Sequence, residues 1–245
     1  MKLVHLSDLH FGSSCFVPEW AQRVIGLIQR EAPDVLVVAG DLTENGFEEE
    51  YKEAMFFFQG LPMPKVIVPG NHDVRNGGDV IFEEVFGSRF KTFTSNGTSN
   101  GWIIVGIDSS EPDIDDGHVG RENYPWIREQ FQGAKGEVTI LVMHHHLIPI
   151  PATGRERHIP VDAGDLLKVI ADLELTFVLS GHKHRPWTWV LEKTCFVTSG
   201  TATTKRLKGR SFPSFNVIQC QEGLCEVIEV NVKDGSRNKV REIKK

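Results

Sequence analysis

Val35-Leu36-Val37-Val38-Ala39 is an unbroken apolar run closed by Gly40-Asp41. A strand-length run with no polar alternation belongs to a sheet covered on both faces. Similar runs recur along the chain, separated by segments of helical period. Leu3 to Leu6 and Lys65 to Val68 read as strands, as do Trp102 to Asp108, Val138 to Met143 and Phe177 to Ser180. Between them, Glu19 to Arg30 carries Trp20, Ala21, Val24, Ile25 and Ile28 at helical spacing. Glu48 to Gln59 begins with acidic residues that complement a helix dipole. Val80 to Phe86 and Tyr124 to Gln132 read as further helices, and Asp162 is expected to cap another that runs to about Asp172. After Arg185 the character changes. Trp187 to Leu191, Cys195 to Ser199, Asn216 to Cys220 and Glu226 to Val230 are short strand signals joined by turns, and they predict a second, more antiparallel sheet. The polar tail from Lys233 and the loops 75–79 and 94–101 carry no element signal.

The 245 residues suffice for one large α/β domain spanning 1–245. No apolar run approaches the ~18 residues of a membrane span, and the start Met1-Lys2-Leu3-Val4-His5 reaches Asp8 too early for a signal peptide, so a cytoplasmic location is expected. Cys15, Cys195, Cys220 and Cys225 form no CxxC pair, and reduced thiols in or near the core are expected. A net charge of −6 argues against an extended nucleic-acid track, which needs several Lys and Arg to neutralise phosphates. The loop bearing Lys205, Arg206, Lys208 and Arg210 reads as a solvated face, with contact to an anionic substrate or partner as the functional alternative.

Five segments carry the chemistry: Asp8-Leu9-His10, Gly40-Asp41, Gly70-Asn71-His72-Asp73, His144-His145-His146 and Gly181-His182-Lys183-His184. Each follows a predicted strand, and in α/β sheets the crevice beyond the carboxyl ends of strands is where ligands bind. Seven of the ten histidines fall in these segments. In an extended segment, Asp8 with His10 and His182 with His184 would each point to one side, and Lys183 to the other. The glycines before Asp41, Asn71 and His182 would let the backbone turn near a ligand. Imidazole, carboxylate and amide oxygen without thiolate suit Mn²⁺, Fe or Zn²⁺. The set is too large for one zinc site, and two divalent metal ions sharing a carboxylate is the economical assignment. Such a pair suits phosphate-ester hydrolysis.

The ordered series DxH, GD, GNH[DE], a His after a strand, and GHxH resembles the calcineurin-like metallophosphoesterase superfamily, over Asp8 to His184. HLSDLHFG, AGDLTENG, GNHDVR and LVMHHH are most similar to class III cyclic-nucleotide phosphodiesterases and related glycerophosphodiesterases. The resemblance implies a four-layer αββα sandwich of two mixed β-sheets flanked by helices. It implies one ion on Asp8, His10 and His184, a second on Asn71, His144 and His182, and Asp41 bridging them. His145 is the alternative to His144 within the triplet, and His146 stands where a proline is often found. His72 would be catalytic, as general acid or as a charge stabiliser for the leaving oxygen. The implied reaction is hydrolysis of a small phosphodiester, such as a cyclic nucleotide, by a metal-bridging hydroxide. No membrane partner is expected. Base recognition would come from loops near Arg75, Thr153 to His158 and Arg185. Rival readings are a phosphomonoesterase, a nuclease, and a non-catalytic scaffold like the retromer subunit of this fold. GNHD in place of a GNRD-like block argues against a lipid pyrophosphatase.

Overall fold

The computed structural model of the chain describes residues 1–95, 101–154 and 157–244. Of the loops 94–101 and 153–158, residues 96–100 and 155–156 lie outside the described residues. One sheet is built from β1 (Lys2–Leu6), β2 (Val35–Ala39), β3 (Lys65–Val68), β10 (Ser214–Gln221), β11 (Leu224–Asn231) and β12 (Arg237–Lys244), in the order β12-β11-β10-β1-β2-β3. The other holds β4 (Lys91–Thr94), β5 (Trp102–Gly106), β6 (Val138–Val142), β7 (Phe177–Ser180), β8 (Trp187–Leu191) and β9 (Thr194–Thr198), in the order β4-β5-β6-β7-β9-β8. Each sheet is mixed: β1, β2 and β3 are parallel, as are β5, β6, β7 and β9, while the remaining pairings are antiparallel.

The pleat of β2 distributes its five fully buried residues between two cores. Leu36 and Val38 face α1 (Pro18–Glu31), α2 (Glu48–Gln59) and α3 (Gly78–Phe86), where they meet Val24, Ile28, Ala54 and Phe82. Val35, Val37 and Ala39 face the second sheet and pack with Ile104, Ile140, Val142 and Leu179. The far face of that sheet places Val105, Leu141 and Val178 under α4 (Tyr124–Gln130) and α5 (Ala163–Leu173). Alternate residues of one strand thus serve opposite faces, and the result is a helix–sheet–sheet–helix sandwich. Each such aliphatic side chain contributes roughly 1.5–3 kcal/mol by burial.

Four expectations are corrected. The strands after Arg185 do not form a separate sheet: β8 and β9 extend the second sheet, and β10 and β11 extend the first beside β1. The tail from Lys233 is not a loose end, because residues 237–244 form edge strand β12 on β11. Its charged residues, Arg237, Lys239, Arg241 and Glu242, suit an edge that must not recruit another chain. Cys220 and Cys225 are not reduced thiols but a disulfide, because the β10–β11 hairpin sets them directly opposite with Cα atoms 4.1 Å apart. Cys15 and Cys195 are free. Finally, the Asp162 side chain does not cap α5. It accepts instead from the main-chain N–H groups of Val119 (3.2 Å) and Gly120 (2.9 Å) and from the Tyr124 hydroxyl (2.6 Å), tying α4 to α5. No helix among the described residues is long and apolar enough to cross a membrane.

Candidate metal centre

The carboxyl ends of β1, β2, β3, β6 and β7 open on the same edge of the sandwich, and the five polar segments meet there. Asp8, His10 and His144 are completely buried, Asp41 and Asn71 nearly so. The pleat does not pair Asp8 with His10 or His182 with His184, since both segments lie beyond their strands. The backbone instead takes left-handed φ at Asp8 (56°), His10 (50°), Asp41 (53°), His182 (73°) and His184 (52°). Each such non-glycine residue costs about 1–3 kcal/mol and persists only where surrounding bonds over-determine it, a pattern that clusters at functional sites.

Those bonds come from neighbouring loops. The Asp8 and His10 N–H groups donate to the carbonyls of Gly40 and Asp41, both at 3.0 Å. Thr201 and Thr203, just past β9, donate their hydroxyls to the carbonyls of Asp8 (2.7 Å) and Leu9 (2.6 Å). Asp73 accepts from the N–H groups of Leu42, Thr43 and Gly70 at 2.8–3.1 Å. Burial, reinforced by the Asp41 charge, nevertheless lifts the Asp73 pKa to about 6. None of the three glycines has room for a Cβ: one at Gly40 would strike the main-chain nitrogen of Gly70 and His144 Nδ1, one at Gly70 Asp41 Oδ1, and one at Gly181 Ser7 Oγ. Gly40, with φ of 79°, is required for its turn as well.

Outer partners fix which nitrogen of each imidazole faces inward. His184 Nδ1 donates to the Arg206 carbonyl at 2.9 Å, and His10 Nδ1 stands 3.2 Å from Glu44 Oε2. That leaves both Nε2 lone pairs facing each other at 3.0 Å. Asp8 Oδ1 is 3.2 Å from His184 Nε2, and Asp41 Oδ2 is 3.6 Å from His10 Nε2. On the other side, His144 Nδ1 donates to the Ala39 carbonyl at 2.7 Å, which turns its Nε2 to Asn71 Oδ1 at 3.1 Å and Asp41 Oδ2 at 3.3 Å. His182 Nδ1 joins them, 3.1 Å from Asn71 Oδ1 and 3.2 Å from His144 Nε2. Two groups of ligand atoms result, Asp8–His10–Asp41–His184 and Asp41–His144–His182, each within 4.8 Å of one another and sharing Asp41. This convergence of imidazole nitrogens with carboxylate and amide oxygens suits a cation, and the donor set fits divalent metal ions.

The electrostatics agree. Burial pushes the Asp41 carboxyl up, yet the imidazoles of His144, His72 and His10 outweigh it and hold it well below the usual range. Burial likewise disfavours charge on His144, but Asp41 and Asp8 lift its pKa to about 9, the mark of a position that attracts positive charge. Burial lowers His10 to about 4 despite Glu44 and Asp41, which keeps it neutral. Burial, reinforced by His145 and His144, holds His182 well below its ordinary value.

His145 is placed differently. Its Nδ1 meets Ser109 Oγ at 2.9 Å and its Nε2 the Asp115 carbonyl at 3.2 Å, so both nitrogens are engaged away from the lone-pair cluster. His146 is buried and stacks on His182. His72 stands edge-on to His10 with ring centroids 4.6 Å apart. Its main-chain N–H donates to Asp41 Oδ1 at 3.0 Å and its Nδ1 to the Glu44 carbonyl at 2.6 Å. Lys183 is buried and donates to the Arg157 carbonyl at 3.2 Å.

Sequence reasoning gave no role to Asp73, Glu44, Asp115, Thr201 or Thr203, and it read Arg206 only as part of a solvated or anion-contacting loop. Asp115 accepts from Asn71 Nδ2 at 3.1 Å and from Arg75 Nη2 at 2.6 Å, which turns the Asn71 oxygen toward the histidines. A signal existed for the threonines, because Gly200-Thr201-Ala202-Thr203-Thr204 follows a strand as the five segments do.

Residues 1–186 match the family described as calcineurin-like phosphoesterase. The chain is 27% identical over 193 residues to a probable cyclic nucleotide phosphodiesterase of Synechococcus sp., covering 76% of this chain and 74% of that protein. It is 28% identical over 204 residues to a glycerophosphodiester phosphodiesterase of Enterobacter lignolyticus, covering 75% of this chain and 71% of that one. In fold it is similar to GAP50, the anchor in the inner membrane complex of Plasmodium, with a TM-score of 0.74 and 16% identity over 100% of this chain and 88% of that one. The chain belongs to the calcineurin-like phosphoesterase family, whose members are metal-dependent phosphoesterases.

Proposed function

We propose that this chain hydrolyses a small phosphodiester with two divalent ions, Mn, Fe or Zn. Asp8, His10 and His184 would hold one, Asn71, His144 and His182 the other, and Asp41 both. The observation that carries this reading is the convergence of inward-facing imidazole nitrogens on either side of Asp41 Oδ2, at 3.6 Å from His10 and 3.3 Å from His144. Such ions, when bound, acidify a water and offset phosphoryl charge. His144 is favoured over His145 because both His145 nitrogens have partners elsewhere. With Nδ1 donating to Glu44, a His72 imidazolium would carry its second proton on Nε2, to give to the leaving oxygen or to stabilise its charge.

The cations near the site support a diester over a monoester, whose dianion calls for free basic donors. Arg75 is paired with Asp115 at 2.6 Å and Arg206 with Glu44 at 2.5 Å. Arg185 lies over the Trp187 ring. The relatives named for cyclic nucleotides and glycerophosphodiesters agree with this choice of substrate class. A panel of 3′,5′- and 2′,3′-cyclic nucleotides, glycerophosphodiesters, monoesters and single-stranded DNA, assayed with defined metals, tests it. Turnover of a cyclic nucleotide or a glycerophosphodiester above the others supports the reading. Turnover of nothing with any metal overturns it in favour of a scaffold.

A further inference from the structure

We propose that Arg206 is a positioning residue for one of the two ions, orienting His184 through its main-chain carbonyl and His10 through Glu44. The inference rests on the metal-binding reading above and assigns a task to the basic loop, which lies outside all five motif segments.

Arg206 reaches the centre by two routes. Its carbonyl accepts from His184 Nδ1 at 2.9 Å. Its Nη2 donates to Glu44 Oε1 at 2.5 Å, and the other Glu44 oxygen stands 3.2 Å from His10 Nδ1. His10 Nδ1 and Glu44 Oε2 are both buried without a hydrogen-bond partner of ordinary geometry, and their 3.2 Å approach is the polar contact that links them. One residue thereby acts on the outer nitrogens of both imidazoles whose inner nitrogens face each other at 3.0 Å. A carboxylate or carbonyl behind a ligating histidine fixes its tautomer and ring angle, and removing one typically costs ~10–100-fold in metal affinity.

The guanidinium also decides what Glu44 does. Glu44, His10 and His72 form a third set of potential ligand atoms within 4.8 Å of one another. A Glu44 carboxylate released from Arg206 is free to turn to solvent or to compete for an ion, and either movement removes the support behind His10. Arg206 is held in turn by a chain of loop bonds. Its N–H donates to Thr204 Oγ1 at 3.2 Å, and Thr204 meets Thr201, whose hydroxyl bonds the Asp8 carbonyl. With its charge matched by Glu44, Arg206 is poorly placed to act as a free phosphate-binding cation.

The test loads the full chain with Mn²⁺, dialyses it against graded chelator and measures residual metal per chain for wild type, Arg206→Ala, Arg206→Lys, Glu44→Gln and the Arg206→Ala/Glu44→Gln pair. Arg206→Ala is expected to release one ion at a chelator concentration at least ~10-fold lower, with release of the second unmoved. Arg206→Lys should restore most of the retention, because only one nitrogen contacts Glu44 and an ammonium can replace it. The double variant should lose little beyond Glu44→Gln alone, since both changes break one chain of contacts. Should Arg206→Ala fail to fold, Glu44→Gln leaves the loop intact and carries the same expectation. A wild-type chain that holds two ions, with release from Arg206→Ala unmoved or shifted equally for both, overturns this inference alone. A higher KM for bis(p-nitrophenyl) phosphate with metal retention unchanged does so too, and makes Arg206 a substrate contact. A wild-type chain that cannot hold two ions overturns the metal-binding reading and this inference with it.

Discussion

The main-chain N–H of His72 donates to Oδ1 of Asp41 at 3.0 Å, while Oδ2 of the same carboxylate faces His10 and His144. One side chain thereby spans both groups of ligand atoms and fixes the loop that carries His72. Asp41→Asn keeps the shape but puts an amide nitrogen at one of these positions. It should reduce metal from near two ions per chain to one or fewer, and lower kcat/KM by more than the ~10–100-fold typical of an outer partner. Elemental analysis of the purified variant beside its kinetics checks this. Two ions with near-native turnover would remove Asp41 from the bridging role.

His72 touches the centre through its backbone and its ring edge, not through a lone pair in either cluster. His72→Ala should retain both ions and lose ~10²–10⁴-fold in kcat for a substrate with a poor leaving group, and less for p-nitrophenolate, which needs no proton. The comparison of leaving groups decides the role. Equal losses for both would point to phosphate binding instead of proton transfer.

Adjacent histidines should differ sharply. His144→Ala is expected to lose one ion, because its Nε2 faces Asn71 and Asp41. His145→Ala should keep both, its nitrogens being occupied by Ser109 and the Asp115 carbonyl. Metal counts on the two variants test the assignment directly, and the reverse result would exchange their roles.

Asp162 gives a stability prediction away from the metals. Burial raises its pKa, but the Tyr124 hydroxyl and the N–H groups of Val119 and Gly120 outweigh it and leave the folded value depressed. A depressed carboxyl stabilises the fold above its unfolded pKa of about 3.9, and that contribution fades as pH falls through the folded value. Asp162→Ala should therefore cost about 1–3 kcal/mol near neutrality, the typical penalty for stranding such donors. Urea unfolding at several pH values should show the gap from wild type constant above about pH 4 and narrowing below it. A gap that widens in acid would contradict the sign.

Much of the architecture was legible because β2, β3 and β7 are short apolar runs whose ends carry Gly, Asp, Asn or His, and their observed bounds are those read from the pattern. The five polar segments were legible for the same reason. What escaped depends on partners distant in sequence. Strand β12 is too charged to read as a strand until β11 supplies its ladder. The Cys220–Cys225 bond follows from hairpin register, which no CxxC spacing announces. Asp162 precedes a helix as a cap would, but the Val119-Gly120 turn offers its carboxylate better-placed donors. The left-handed backbone at Asp8, His10, His182 and His184 was missed because alternation in an extended segment predicts the same convergence by another geometry. Arg206 lies 162 residues from Glu44, and within its own loop it is one basic residue among several.

The central claim, a metal-dependent diesterase whose Arg75 and Arg206 are each already paired with a carboxylate, is tested most directly by one ratio. The Mn²⁺-loaded chain should show a larger kcat/KM for bis(p-nitrophenyl) phosphate than for p-nitrophenyl phosphate under the same conditions. A preference of about tenfold or more for the monoester, equivalent to ~1.4 kcal/mol of transition-state binding, would contradict it and make the chain a phosphatase.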